Sequence, residues 1–268
     1  MADNKTKPAD DFVDSRLIEK GLIDDDFLAW LERKAPLGQQ PVTLEQRADR
    51  SVAILAYFMG RHPGRIALAS SLSLEDQTIT YMMVGIDPQA RIFTLDTGRL
   101  FPQTYRLIDR TCLTYGIKME VFFPDYREVQ RMVREEGINL FLNSVASRHR
   151  CCAARKLEPL RRALGGLDVW VCGLRREQAV TRRSMRCVEW DDMHGLIKLN
   201  PLIDWTEEEV RQYVHEHHVP YSKLFDEGYP SVGCEPCTRA VAPGEDPRAG
   251  RWWWEAPEKR ECGLHQRY

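Results

Sequence analysis

Apolar positions along this chain recur in two rhythms. Short runs rich in Ile, Leu, Val and Phe (Arg65–Ser70, Arg91–Leu95, Lys118–Phe123 and Asp168–Cys172) alternate with longer stretches whose apolar residues return every three or four positions. The runs predict buried strands and the stretches predict amphipathic helices. Thr43 and Gln46 form a capping box that opens a helix running to Met59, and Thr206 and Glu209 open another running to His217. Pro102 starts a helix that ends at Tyr115 before Gly116, and Gly137 stops one over Tyr126–Glu136. Gln77–Val84 and Cys151–Leu164 read as further helices, the second broken at Gly165-Gly166, and Leu196–Leu199 as a further short strand.

Each of the four principal strands runs into a loop of polar or small residues: Ser70–Asp76, Asp96–Gly98, Phe123–Asp125 and Gly173–Arg176. This alternation predicts an α/β three-layer sandwich, a mainly parallel sheet covered by helices on both faces. Ligands of such sheets lie beyond the carboxyl ends of the strands, so these loops are expected to converge on one crevice. Residues 1–42 read as an acidic, partly mobile helical extension, anchored by Phe12, Leu17, Phe27 and Leu31 and closed by the breaker stretch Pro36–Pro41. Residues 43–238 form the main domain. Beyond Tyr221 the rhythm dissolves into Gly, Pro and charge, and residues 239–268 are expected to be a mobile C-terminal tail, with Trp252–Trp254 packing onto the body.

Composition narrows the class. The 268 residues are 43% hydrophobic and 29% charged, enough apolar mass for one large α/β unit. There is no apolar run long enough to span a bilayer, and the N-terminus lacks the apolar segment of a secretory signal, so a cytoplasmic protein is expected. A reducing compartment argues against a disulfide framework for the eight cysteines. The net charge of −2 hides an asymmetry: Ser147–Val188 holds eleven Lys/Arg against three Asp/Glu. An acidic chain with one basic segment suits a small anion in a focused positive cleft and not nucleic acid.

The cysteines carry the strongest chemical signal. Cys151-Cys152 opens a predicted helix, and Cys234-Glu-Pro-Cys237 is a C-x-x-C in a Gly/Pro-rich turn. Four thiolates suit a Cys₄ zinc site or a [4Fe–4S] cluster, and spacing leaves both open. Adjacent helical side chains diverge by about 100°, which strains a compact tetrahedral ion but lets each sulfur meet a different iron. Cys112, Cys172 and Cys187 read as core packing. Cys262 stands apart in Glu-Cys-Gly-Leu-His among Lys259, Arg260 and His265, neighbours that favour the thiolate. A lone nucleophilic cysteine that forms an adduct needs an external thiol to resolve it. The Ser70–Asp76 loop places hydroxyls and amides at a helix N-terminus, an anion cradle without the Gly-Lys of a Walker loop. Arg175 and Arg176 after a strand, with Arg248 and Arg251 in the tail, add fork-shaped donors.

Seven stretches in order, SSLSLEDQ (70–77), LDTGRLFPQTY (95–105), CCAARKLEPL (151–160), GLRREQ (173–178), GCEPCTRAV (233–241), RAGRWWWE (248–255) and KRECGLH (259–265), resemble the iron–sulfur branch of the phosphoadenylyl-sulfate reductase family, the thioredoxin-dependent adenylyl-sulfate (APS) reductases of sulfate assimilation and cysteine biosynthesis. The resemblance spans roughly residues 43–268. It implies an adenine-nucleotide alpha-hydrolase-like fold related to the ATP pyrophosphatases. It implies Cys262 as nucleophile, Cys151, Cys152, Cys234 and Cys237 as [4Fe–4S] ligands, and Lys156 as their cationic neighbour. Ser71, Ser73, Asp96, Gly98, Arg175, Arg248, Arg251 and His265 would contact substrate, although the middle residue of the phosphate-side loop here is Leu72 and the family's glycine is absent. The reaction implied is reduction of APS to sulfite and AMP through an S-sulfocysteine, with thioredoxin or a glutaredoxin-like protein as reductant. Phosphoadenylyl sulfate (PAPS) as sole or second substrate, a zinc-containing ATP pyrophosphatase-type tRNA thiolation enzyme, and a homo-oligomeric state stay open on sequence.

Overall fold

The apolar runs assemble into one six-stranded sheet of order β3-β2-β1-β4-β6-β5. The computed structural model describes residues 12–34, 42–179 and 182–256. Its strands are β1 (Ile66–Ser70), β2 (Ile92–Leu95), β3 (Glu120–Phe122), β4 (Val169–Val171), β5 (Val188–Asp191) and β6 (Leu196–Leu199). The first four and β6 run parallel, in register Leu68↔Ile92, Phe93↔Glu120, Ile66↔Val169 and Val169↔Ile197. β5 pairs antiparallel to β6 with Val188 opposite Leu199. Sequence reading missed β5, because its Val-Glu-Trp-Asp is half polar and Glu189 is buried by pairing with Lys198 at 3.5 Å.

The helices are α1 (Arg16–Glu19), α2 (Asp25–Lys34), α3 (Leu44–Arg61), α4 (Leu74–Ile86), α5 (Pro102–Tyr115), α6 (Tyr126–Glu136), α7 (Val145–Cys152), α8 (Glu158–Leu164) and α9 (Glu207–Glu216). Both expected capping boxes form, at Thr43 and Thr206. Two boundaries differ from expectation. α4 begins at Leu74, not Gln77, because the Ser73 hydroxyl accepts the Asp76 amide at 3.2 Å and caps the helix there. The expected helix over 151–164 starts at Val145, capped by Ser144, and passes through a π turn over Ala153–Leu157 before α8. α3, α4 and α9 pack together with α4 on β1, and α8 packs on β2 and β3.

The central strands are buried: Ala67, Leu68, Phe93, Val169 and Val171 have no exposed surface, while β3 at the edge is half-buried. Phe12, Leu17, Phe27 and Leu31 join the same core, and Val13 makes a parallel bridge to Val188 at the β5 edge. Residues 1–11 and 35–41 lie outside the described residues. At the other end Trp252 is buried, with the guanidinium groups of Arg148 and Arg251 4.5 and 4.7 Å from the centre of its ring. Among the described residues no helix is long and apolar enough to cross a membrane.

Candidate active site

Strand order reverses between β1 and β4, and their exit loops diverge there to open a crevice. The cleft holds about 750 Å³, the size of a small-ligand site. Three of the four expected loops contribute: Ser71 and Ser73 after β1, Thr97 after β2, and Gly173–Gln178 after β4. Lys156, Arg175, Arg176, Arg182, Arg183, Arg211, Arg248 and Arg251 line it against Glu75, Asp76, Glu177, Glu207 and Asp246, so positive charge is in excess there.

The arginines differ in how they are held. Arg175 is buried and engaged by carboxylates: its Nε donates to Glu75 Oε1 at 2.7 Å, Nη1 pairs with Glu177, and Glu207 stands 4.0 Å from Nη2. Arg251 lies flat against Gly233, where a Cβ would overlap its guanidinium, and donates to the Val232 carbonyl at 3.2 Å. Glycine at 233 therefore admits the arginine to the cleft wall. Much of the basic segment is neutralised locally: Arg148 pairs with Glu255, Arg150 with Glu135 and Glu136, Arg162 with Glu158, and Arg176 with Asp204. The excess of positive charge read from sequence thus reaches the cleft only in part.

The turn after β2 joins this cleft to the cysteines. Asp96 is buried and accepts the Gly98 amide at 2.7 Å and the Tyr105 hydroxyl at 2.9 Å. Burial and that bond to Asp96 push the Tyr105 phenol up to about 12, so it stays a donor. Gly98 has φ +72°, and the Arg155 guanidinium stands 3.4 Å from where a Cβ would be. Arg155 Nη1 donates to the Thr97 carbonyl at 2.6 Å, and the Thr97 hydroxyl lies 3.2 Å from Cys234 Sγ.

Cys151, Cys152, Cys234 and Cys237 line one small cavity together with Arg99, Arg148, Arg155 and Lys156. The tandem cysteines end α7 where the π turn begins, and the other pair brackets a 3-10 turn at Glu235–Cys237 that docks by the Glu235 amide on the Arg99 carbonyl at 2.8 Å. Among the described residues no trio of His, Cys, Asp or Glu closes tightly round a single ion. Four thiols ringed by cations suit a four-thiolate iron–sulfur cluster, and the buried Arg155 Nε, without an acceptor among the described residues, points to a further partner in this region. Burial pushes the Cys151 thiol up, and burial with Cys234 nearby pushes Cys237 up to about 12. Burial would raise Cys234 too, but Lys156, the Thr97 hydroxyl, Arg251 and Arg155 together hold it below the ordinary thiol range. Lys156 lines both the cysteine cavity and the cleft.

Cys172 and Cys187 are core residues whose thiols burial pushes up, Cys187 to about 12, and Cys112 packs half-buried against the core. Cys262 and His265 lie outside the described residues. Sequence reading missed Glu75 and Asp76 as buried members of the site. Their adjacency in the first turn of a helix reads as ordinary complementation of the helix dipole, and only the fold turns them inward.

Residues 65–240 match the phosphoadenosine phosphosulfate reductase domain. The adenosine 5'-phosphosulfate reductase of Allochromatium vinosum is 47% identical over 225 residues, 84% of this chain and 88% of its own length. The protein of that name from Neisseria meningitidis is 43% identical over 231 residues, 86% of this chain and 91% of its own. A crystal structure of phosphoadenylyl-sulfate reductase from Candida auris superposes with a TM-score of 0.63 at 22% identity, covering 82% of this chain and 98% of that one. FMN adenylyltransferase from Candida glabrata, with FAD and pyrophosphate, follows at a TM-score of 0.52 and 13% identity, covering 86% and 80%. These two likenesses show the fold, an adenine-nucleotide alpha-hydrolase-like sandwich. Family match and identity together establish that the chain belongs to the phosphoadenosine phosphosulfate reductase family of sulfur-group oxidoreductases.

Proposed function

We propose that this chain reduces adenylyl sulfate to sulfite and AMP, with thioredoxin as reductant and a [4Fe–4S] cluster on Cys151, Cys152, Cys234 and Cys237. The observation that carries the reading is the shared wall: one lysine, Lys156, borders both the cationic nucleotide-sized cleft and the four-cysteine cavity. The curated relatives named for this substrate support it. Ser71, Ser73, Arg248 and Arg251 line the cleft and would hold the phosphosulfate, while Asp96 and Gly98 shape the turn after β2 beside it. His265, three positions after Cys262 in the chain, would support its thiolate and contact the substrate.

The thiolate of Cys262 attacks the sulfur of the bound phosphosulfate. The electron pair of the thiolate forms the S–S bond while the bond from sulfur to the phosphate oxygen breaks, and AMP leaves with the electron pair of that broken bond. Arginines and loop amides stabilise the charge that grows on the leaving phosphate. A thioredoxin thiolate then attacks Cys262 Sγ of the S-sulfocysteine and releases sulfite; the second thioredoxin thiol resolves the mixed disulfide. Thioredoxin supplies both electrons, so the cluster, when bound, contributes fixed charge and a cross-link beside the cleft. A reducing cytoplasm suits all of these thiols.

Replacing Cys262 by Ser should abolish sulfite formation while AMP binding and the visible absorbance of the cluster persist. Sulfite production by that variant would overturn the assignment. Steady-state kinetics with APS and PAPS side by side decide the nucleotide; a kcat/KM for PAPS equal to or above that for APS would overturn the substrate assigned here.

A further inference from the structure

Asp76 is the most completely enclosed carboxylate of the cleft, and its bonds run across it. It accepts the Ser71 amide at 2.6 Å, the Ser71 hydroxyl at 2.7 Å and the Gly173 amide at 3.1 Å. Ser71 follows β1 and Gly173 follows β4, the two strands between which sheet order reverses. None of these bonds caps α4, a task that Ser73 performs. The join is tight: a Cβ at Gly173 would overlap Asp76 Oδ1.

Between these bonds the chain takes a shape that a side chain resists. Leu72 has φ +62° and is buried, and its amide donates to Ser70 Oγ at 3.1 Å. Glycine is the usual occupant of that region of backbone space. Something must hold the loop there, and the bonds on Ser71 are adjacent to the strained residue. A buried carboxylate below an anion-binding loop is also an electrostatic liability. Burial lifts the Asp76 pKa to about 6 even though Ser71 and Gly173 donate to it, with Glu75 on the same helix adding to the rise. Cys172, just after β4, lies within electrostatic reach of it. Such a residue is costly to folding and useful only if the geometry it imposes matters.

We propose that Asp76 is a positioning residue of the nucleotide cleft: its carboxylate clamps the Ser70–Ser73 loop to the Gly173 end of β4 and so presets the cradle for the anionic end of the substrate. Glu75 serves the opposite wall in the same manner, holding Arg175 at 2.7 Å and Gln178 at 2.8 Å. The proposal rests on the APS reading above, and its test separates the two. The full-length enzyme is compared with Asp76→Asn, Gly173→Ala, their double variant and Ser71→Ala. Measurements are KM and kcat for APS, calorimetric Kd for AMP, and thermal midpoint.

Asp76→Asn keeps the volume but turns an amide donor towards a donor. It should raise KM and the AMP Kd by about tenfold or more with kcat within about twofold, the signature of lost uniform binding. Ser71→Ala should show a smaller loss. Gly173→Ala should resemble Asp76→Asn, and the double variant should be no worse than either, since both break one contact. The thermal midpoint of Asp76→Asn at pH 8 should equal or exceed that of the wild type. The wild-type KM should climb as pH falls through about 6, and the variant's should not. An unchanged KM, additive losses, or losses that follow a lowered midpoint would overturn the clamp. A wild type that releases no sulfite or AMP from APS would overturn the functional reading instead, and AMP affinity would still test the clamp.

Discussion

Single side chains decide how the terminal segment meets the body. Arg148 and Glu255 are nearly inaccessible and form a two-point pair, Nε to Oε1 at 2.7 Å and Nη2 to Oε2 at 2.9 Å. Removing one partner leaves an uncompensated buried charge, so Glu255→Gln should lower unfolding stability by about 3–5 kcal/mol in a denaturant titration. The exposed Arg150, which pairs with Glu135 and Glu136, makes the contrast, since water screens it: Arg150→Ala should leave the denaturation midpoint unchanged. Both arginines were read from sequence as members of one basic segment. Only burial separates a residue that fixes the chain from one that decorates it.

At the level of elements, the N-terminal stretch is an edge device. Val13 lies beside Val188, the Val188 amide donates to the Phe12 carbonyl at 3.1 Å, and the Asp14 amide returns to the Val188 carbonyl at 2.9 Å. These bonds cover part of β5, an edge strand that would otherwise present open backbone groups. Phe12 is buried with the Arg50 guanidinium 4.9 Å over its ring. Phe12→Ala should therefore cost about 3–5 kcal/mol in the same titration. The apolar anchors of this stretch were visible in the sequence; that they would meet a strand some 175 positions away was not, because β5 itself carries alternating charge and its pairing is set by the turn at Asp192–Gly195.

The whole molecule ties its chemistry together by bringing distant segments onto one side of a sheet. Cys151 and Cys152 belong to α7 and Cys234 and Cys237 to a turn far along the chain, so a cluster held by all four would cross-link the fold. Anaerobic removal of iron should abolish absorbance near about 400 nm and lower the thermal midpoint. A midpoint unchanged by iron loss would mean that the cysteines do not share one cofactor. Asp76 adds a pH term of opposite sign to the usual carboxylate. Its folded pKa of about 6 lies above the ordinary value of 3.8, so the native state binds the extra proton. The resulting stability is fully present below about pH 4 and lost as pH rises through 6, which thermal melts across that window measure and Asp76→Asn should flatten.

The alternation of strands and helices, both capping boxes, the crevice at the strand ends and the grouping of cysteines into pairs are legible in the chain alone. These are local properties, fixed by periodicity, by cap chemistry and by motifs whose residues are neighbours in the chain. Folding in three dimensions turned Glu75 and Asp76 inward, set Lys156 between two cavities and brought carboxylates from two other elements to Arg175. It also decided which arginines of the basic segment face the cleft. Such facts depend on which strands become neighbours and on what each charge finds when water is removed, and neither is written in the spacing of residues along the chain.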